Sequence, residues 1–229
     1  MLEELKEAVL AANLELPRRG LVTLTWGNVS GRDPSTGLIA IKGSGVPYES
    51  MEADDIVIVA EDGSVVEGRR RPSTDTPTHV ALYRGLPEVG GVVHTHSKWA
   101  ATWAQARRPI PLLGTTHADF CVGPVPVSEP LGPDETWADY EGATGTAIIR
   151  ALAGRKPSEV PAVLVSGHGP FCWGFSADAA VEAAVTLEAV SEMAWLTVAL
   201  SPGAEPLEEH IAARHFSRKH GPDAYYGQR

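Results

Sequence analysis

The chain has 229 residues, 43% of them hydrophobic and 21% charged, with a net charge of −10 and a mean hydropathy of −0.08. That balance excludes a disordered chain, and the acidic excess speaks against a nucleic-acid binder. No uninterrupted apolar run approaches 18 residues, so no membrane span is expected, and the opening Met1-Leu2-Glu3-Glu4-Leu5-Lys6 lacks the layout of a secretion signal.

Residues 2–16 have helical period, with Leu2, Leu5, Val9, Leu10 and Asn13 on one face and Pro17 as the stop. Short strands are expected at 21–24, 38–41 and 56–60, and Glu61-Asp62-Gly63-Ser64 turns the last of them into Val65-Val66-Glu67. Residues 76–84 read as a helix with Pro77 near its start. Residues 89–96 read as a buried strand ending in polar residues, followed by a helix over 97–106 that Pro109 and Pro111 end. A helix over 140–152, an apolar strand over 160–166, a long Ala-rich helix over 178–200 and a short helix in the tail complete the chain. Strands alternating with helices, plus a hairpin, imply one α/β layered domain over 1–229 with a mixed sheet. Cys121 and Cys172 form no Cys-x-x-Cys pair and read as reduced thiols of a cytoplasmic protein.

Three of the eight histidines stand out. His94 and His96 lie two apart on the 89–96 strand, where side chains share a face roughly 6.5–7 Å apart. His168 follows the 160–166 strand between two glycines, which let the backbone turn sharply and bring the ring inward. A lone histidine is most simply a satisfied core or surface residue. Three of them at strand ends, with no cysteine, point to an imidazole metal site with an open position. Spacing gives His79, His117, His210, His215 and His220 no such role. Asp75, just before the 76–84 helix, could join the site, although it or its neighbours Thr74 and Thr76 serve equally as the helix N-cap.

Thr25-Trp26-Gly27-Asn28, Lys42-Gly43-Ser44-Gly45 and Ser73-Thr74 are dense in glycine and hydroxyls, as in anion-binding turns, and Lys42 adds a point charge. No phosphate-loop or dinucleotide fingerprint occurs. The basic runs Arg69-Arg70-Arg71 and Arg107-Arg108 read as solvated faces.

These segments, with Leu21 to Ser30, Ile41 to Val46, Pro72 to His79, His94-Thr95-His96-Ser97, Gly114 to Asp119, His168 to Phe171 and the tail Lys219-His220-Gly221 and Tyr225-Tyr226-Gly227-Gln228, resemble the sugar-phosphate epimerases of the class II aldolase/adducin family in matching order. The resemblance implies a single αβα domain with a central, mostly antiparallel sheet. It also implies a cytoplasmic homotetramer with active sites between subunits. The expected activity is interconversion of L-ribulose 5-phosphate and D-xylulose 5-phosphate, in arabinose catabolism or ascorbate use. The C3–C4 bond would be cleaved and re-formed with the help of a divalent metal: Zn2+, with Mn2+ or Co2+ as alternatives. Carried over residue by residue, Asp75, His94, His96 and His168 hold the metal, and Gly27, Asn28, Lys42, Ser44, Gly45, Ser73 and Thr74 meet the substrate. Asp119 and Tyr226 form the proton-transfer pair, and Glu141, Thr115 and His215 lie near it. Thr74 stands where a second serine is common, Gly43 departs from a proline-like position, and Phe120-Cys121 departs from a tyrosine-rich stretch; no reacting group is lost. A sister sugar-phosphate aldolase is the alternative. The short Asp75, where such aldolases carry a glutamate base, separates the two.

Overall fold

A computed structural model describes residues 2–226; Gly227 and Gln228 of the tail motif lie outside it. The helices are α1 (Leu2–Arg18), α2 (Thr76–Gly85), α3 (Lys98–Gln105), α4 (Thr115–Ala118), α5 (Pro133–Leu152), α6 (Ala177–Leu200) and α7 (Glu209–His220). The strands are β1 (Asn28–Arg32), β2 (Ile39–Lys42), β3 (Ile56–Val59), β4 (Val65–Glu67), β5 (Gly91–His94), β6 (Ala162–Leu164) and β7 (Pro170–Gly174). They form a seven-stranded sheet in the order β4-β3-β2-β1-β5-β7-β6. Every strand pair in it is antiparallel, which corrects the mixed sheet expected from alternation.

Antiparallel sheets commonly leave one face to water and then alternate apolar with polar. Here Ile56-Val57-Ile58-Val59 is buried throughout, with α1 packed against the strand. On β1, Val29 sits against α1, where its amide donates to Asn13 Oδ1, while Ser30 meets His79 and Tyr83 of α2. The helices α1 and α6 pack on one side together, and α2 and α5 pack against each other on the other. Only β4 is exposed along its length, and there Glu67 accepts from the buried Lys6 ammonium at 2.9 Å. The helix α6 is long and apolar enough to match a membrane span, yet Ala180, Ala184, Leu187 and Val190 are buried in its packing on β5, β7 and α3.

The strand expected at 21–24 is absent: the segment is irregular and runs into a turn with Leu24 at φ 53°, while Leu21 is buried in the core and Val22 packs against it. The strand at 28–32 was not expected, because Asn-Val-Ser-Gly-Arg lacks an apolar run; its polar side chains are instead buried and hydrogen-bonded, as such groups must be. The strand β7 and the single-turn α4 were likewise unmarked by pattern, and the helix expected at 140–152 begins seven residues earlier, at Pro133, with a kink at Asp139. Cys121 and Cys172 are free and buried, and burial pushes the Cys121 thiol up to about 12.

Candidate active site

His94 is the last residue of β5, in register with Asn28 on one neighbouring strand and Phe171 on the other. Its ring stacks on Phe171 at 4.2 Å, and its Nδ1 lies 3.0 Å from the Pro170 carbonyl. A carbonyl only accepts, so Nδ1 carries the proton and Nε2 presents a lone pair to the cavity. His96 lies just beyond the strand, with its Nε2 3.1 Å from that of His94. His168 sits in the hairpin between β6 and β7, not at the end of a strand as the apolar run suggested. Gly167 turns there at φ +72°, and a Cβ on Gly169 would lie 2.6 Å from the Thr95 carbonyl. Glycine at both places lets the hairpin press against the end of β5, which brings His168 Nε2 to 3.2 Å from His96 Nε2.

One nitrogen from each of the three rings lies within 4.8 Å of the others, so His168 meets the pair, which spacing alone does not determine. Tetrahedral coordination at roughly 2.0–2.1 Å would put ligand nitrogens roughly 3.3 Å apart. The observed 3.1 and 3.2 Å match that separation. Burial drives His94 down to about 3, and it also lowers His96 and His168. All three rings are therefore neutral at pH 7, the form that binds a metal. The second ring nitrogens are held by Pro170 O for His94 and by the Tyr140 hydroxyl, 3.3 Å away, for His168, the outer support that ligating imidazoles take.

Asp75 occupies the N-cap position of α2 but makes no capping hydrogen bond. Its Oδ2 instead accepts from Asn28 Nδ2 at 2.6 Å. Burial disfavours the carboxylate; the His94 and His79 rings and the Asn28 amide outweigh it, and its pKa falls below the usual range. It lines the same cavity as the histidines, outside the tight nitrogen cluster. The Asn28 side-chain oxygen is buried with no partner among the described residues, which leaves an acceptor free at the cavity.

This cavity, of about 640 Å³, also takes in Gly27, Lys42, Ser44, Gly45, Ser73 and Thr74. Lys42 ends β2 and is buried; its Nζ lies 5.1 Å from the Tyr48 ring centroid, and burial lowers its pKa against the pull of Asp55. The expected nest of successive amides is only partly open, since Gly43 N donates to Asp55 O and Ser44 N to Arg71 O. Beside the amides, Lys42 and the hydroxyls of Ser44, Ser73 and Thr74 line the cavity. A larger hollow of about 810 Å³ adjoins through Ser73 and Thr74 but is lined by no histidine, so chemistry rather than size marks the site.

Sequence reasoning passed over Tyr140, which lines the histidine cavity together with Glu141. Asp119 and Tyr226 are not among the residues lining that cavity. Asp119 caps the end of α4 and is bound by α7: His215 Nδ1 lies 3.0 Å from its Oδ1, and Arg218 Nη2 donates to its Oδ2 at 2.6 Å. Burial opposes its ionisation, but Arg218 and His215 prevail and hold the carboxyl below its ordinary value. Thr115 accepts from the Asp119 amide.

The family profile described as "Class II Aldolase and Adducin N-terminal domain" matches residues 7–195. The chain belongs to this family. As a member of the class II aldolase and adducin family, it is 52% identical over 228 residues to proteins named L-ribulose-5-phosphate 4-epimerase UlaF from Salmonella paratyphi A and Salmonella typhi, covering all of both chains in each case. Its fold matches a solved structure of L-fuculose 1-phosphate aldolase, with a TM-score of 0.82 at 23% identity, over 94% of this chain and 95% of that one.

Proposed function

We propose that this protein, acting as one domain over 1–229, is an L-ribulose-5-phosphate 4-epimerase that produces D-xylulose 5-phosphate. The observation that carries this reading is the joining of a neutral histidine triad and a buried lysine in one cavity, in a chain 52% identical end to end to proteins of that name. The hydrogen on C4 is not acidic, because the carbonyl is two carbons away. Inversion therefore calls for breaking C3–C4, turning the aldehyde fragment and re-forming the bond.

Asp75, His94, His96 and His168 would hold a divalent ion, Zn2+ first, with Mn2+ or Co2+ as alternatives. Bound there, it would supply Lewis-acid stabilisation of the negative charge that develops on the ketose oxygens. Lys42, with Gly27, Asn28, Ser44, Gly45, Ser73 and Thr74, grips the phosphate. That grip keeps the aldehyde fragment in place while it exposes its other face, a need that an enzyme releasing its products does not share. Asp119 and Tyr226 exchange the C4 hydroxyl proton on opposite faces. Because they lie away from the cavity of their own chain, they serve the cavity of a neighbour in a cytoplasmic homotetramer. The exposed apolar side chains Met193, Trp195, Leu196 and Leu200 on α6 favour such assembly. The pathway is arabinose or ascorbate breakdown.

Incubation with L-ribulose 5-phosphate, with D-xylulose 5-phosphate followed by a coupled assay, tests this reading. Chelator-sensitive formation of the xylulose sugar is expected. Free glycolaldehyde phosphate without epimer would identify an aldolase instead.

A further inference from the structure

Asp119 and Tyr226 come together around one side chain. Arg218 donates from Nη2 to Asp119 Oδ2 at 2.6 Å and from Nε to Oδ1 at 3.1 Å, a two-pronged grip. The same guanidinium carbon lies 5.0 Å from the centroid of the Tyr226 ring. The backbone closes on the same residue, with the amides of Tyr225 and Tyr226 donating to the Arg218 carbonyl at 3.0 and 3.2 Å. Lys219 approaches the ring at 5.8 Å and His215 approaches the carboxylate; Arg218 approaches both.

Proton exchange between opposed groups has a charge consequence. In one direction the Asp119 carboxylate takes the C4 hydroxyl proton as C3–C4 breaks, and the Tyr226 hydroxyl returns one to the C4 oxygen as the bond re-forms. The pair enters with its single negative charge on Asp119 and leaves with it on Tyr226; the reverse reaction runs the other way. A fixed cation touching only one of them would hold the charge there. Resting on the assignment of this pair, we infer that Arg218 is a positioning residue that stays in contact with the shared negative charge on either group and fixes their separation. Arginine suits this task, since it stays protonated, binds carboxylate through a planar fork and stacks on aromatic rings.

The test uses the full-length, metal-loaded oligomer, with metal content and size checked for each variant. Arg218→Gln is expected to lose about 100-fold in kcat with KM within about threefold, the size of an acid–base contribution. The acidic limb of its pH profile should move up by about one unit, because Asp119 loses the cation that holds its pKa down. His215 and His220 still face Asp119, with Glu88 and Glu182 across the adjoining hollow and Lys219 and Arg214 around the tail tyrosines. Arg218→Lys should recover part of kcat and serves as the second variant if the glutamine chain misassembles. In an Asp119→Asn background, Arg218→Gln should cost little more, because the two act together. An unmoved pH limb with wild-type kcat, or an equal loss in both backgrounds, overturns the inference. If Asp119→Asn and Tyr226→Phe themselves turn over normally, the pair assignment falls first; if they fail while Arg218→Gln does not, the inference alone falls.

Discussion

His94 ends an interior strand of a seven-stranded sheet, its ring packed on Phe171 and its outer nitrogen held by a backbone carbonyl. Asp119 sits at the end of a single-turn helix, bound through His215 and Arg218 of a helix about a hundred residues later in the chain. The first arrangement lowers the basicity of its rings by desolvation, most strongly at the buried His94. The second holds its carboxylate charged against the Arg218 guanidinium. On the proposed function, the cavity for a cation and a phosphate is built at strand ends of the sheet, and the proton-transfer groups are built where solvent reaches them.

The sharpest way to separate the two regions is to disable each alone. His96→Ala should strip the metal and lower turnover at least about 1000-fold, seen as lost metal content beside lost product. Tyr226→Phe should lower kcat about 100-fold or more with metal content unchanged; wild-type turnover would remove Tyr226 from the reaction. Lys42→Gln should act mainly on binding, raising KM for the phosphorylated sugar about 10–100-fold, the worth of one charged hydrogen bond. If KM is unmoved and kcat falls instead, the phosphate lies elsewhere.

The smallest effect concerns pH and stability. Burial lowers His117 from its ordinary value to about 4, so folding excludes a proton that the unfolded chain binds. Its folded-state pKa lies below the unfolded one. Its contribution is therefore complete above about pH 6.5 and declines as the pH falls toward 4. Urea midpoints of chelated protein should drop between pH 7 and pH 5, and His117→Gln should flatten that drop. A midpoint independent of pH would show that the ring is solvated.

The sequence made the metal half legible for a physical reason. Residues two apart near a strand end share a face, so His94-x-His96 declared itself, and the glycines around His168 announced a tight turn. The conversion of Asp75 from helix cap to site residue was not legible, because either use needs the same short carboxylate before a helix. Residues 28–32 hid as a strand because its buried side chains are polar. Arg218 left no local trace at all: its partner Asp119 is a long-range contact that no periodicity encodes. Asp119 and Tyr226 themselves came from family resemblance rather than from spacing.

The division of labour between chains is open to a direct measurement. His96→Ala and Tyr226→Phe chains, each inactive alone, would be co-expressed with different tags and the mixed oligomers purified and assayed. If the proton pair of one chain serves the histidine cavity of another, hybrids regain activity, up to roughly a quarter of the wild-type value for random assembly of sites. Mixed oligomers as inactive as their parents would contradict it, and would place both halves of the machinery on a single chain.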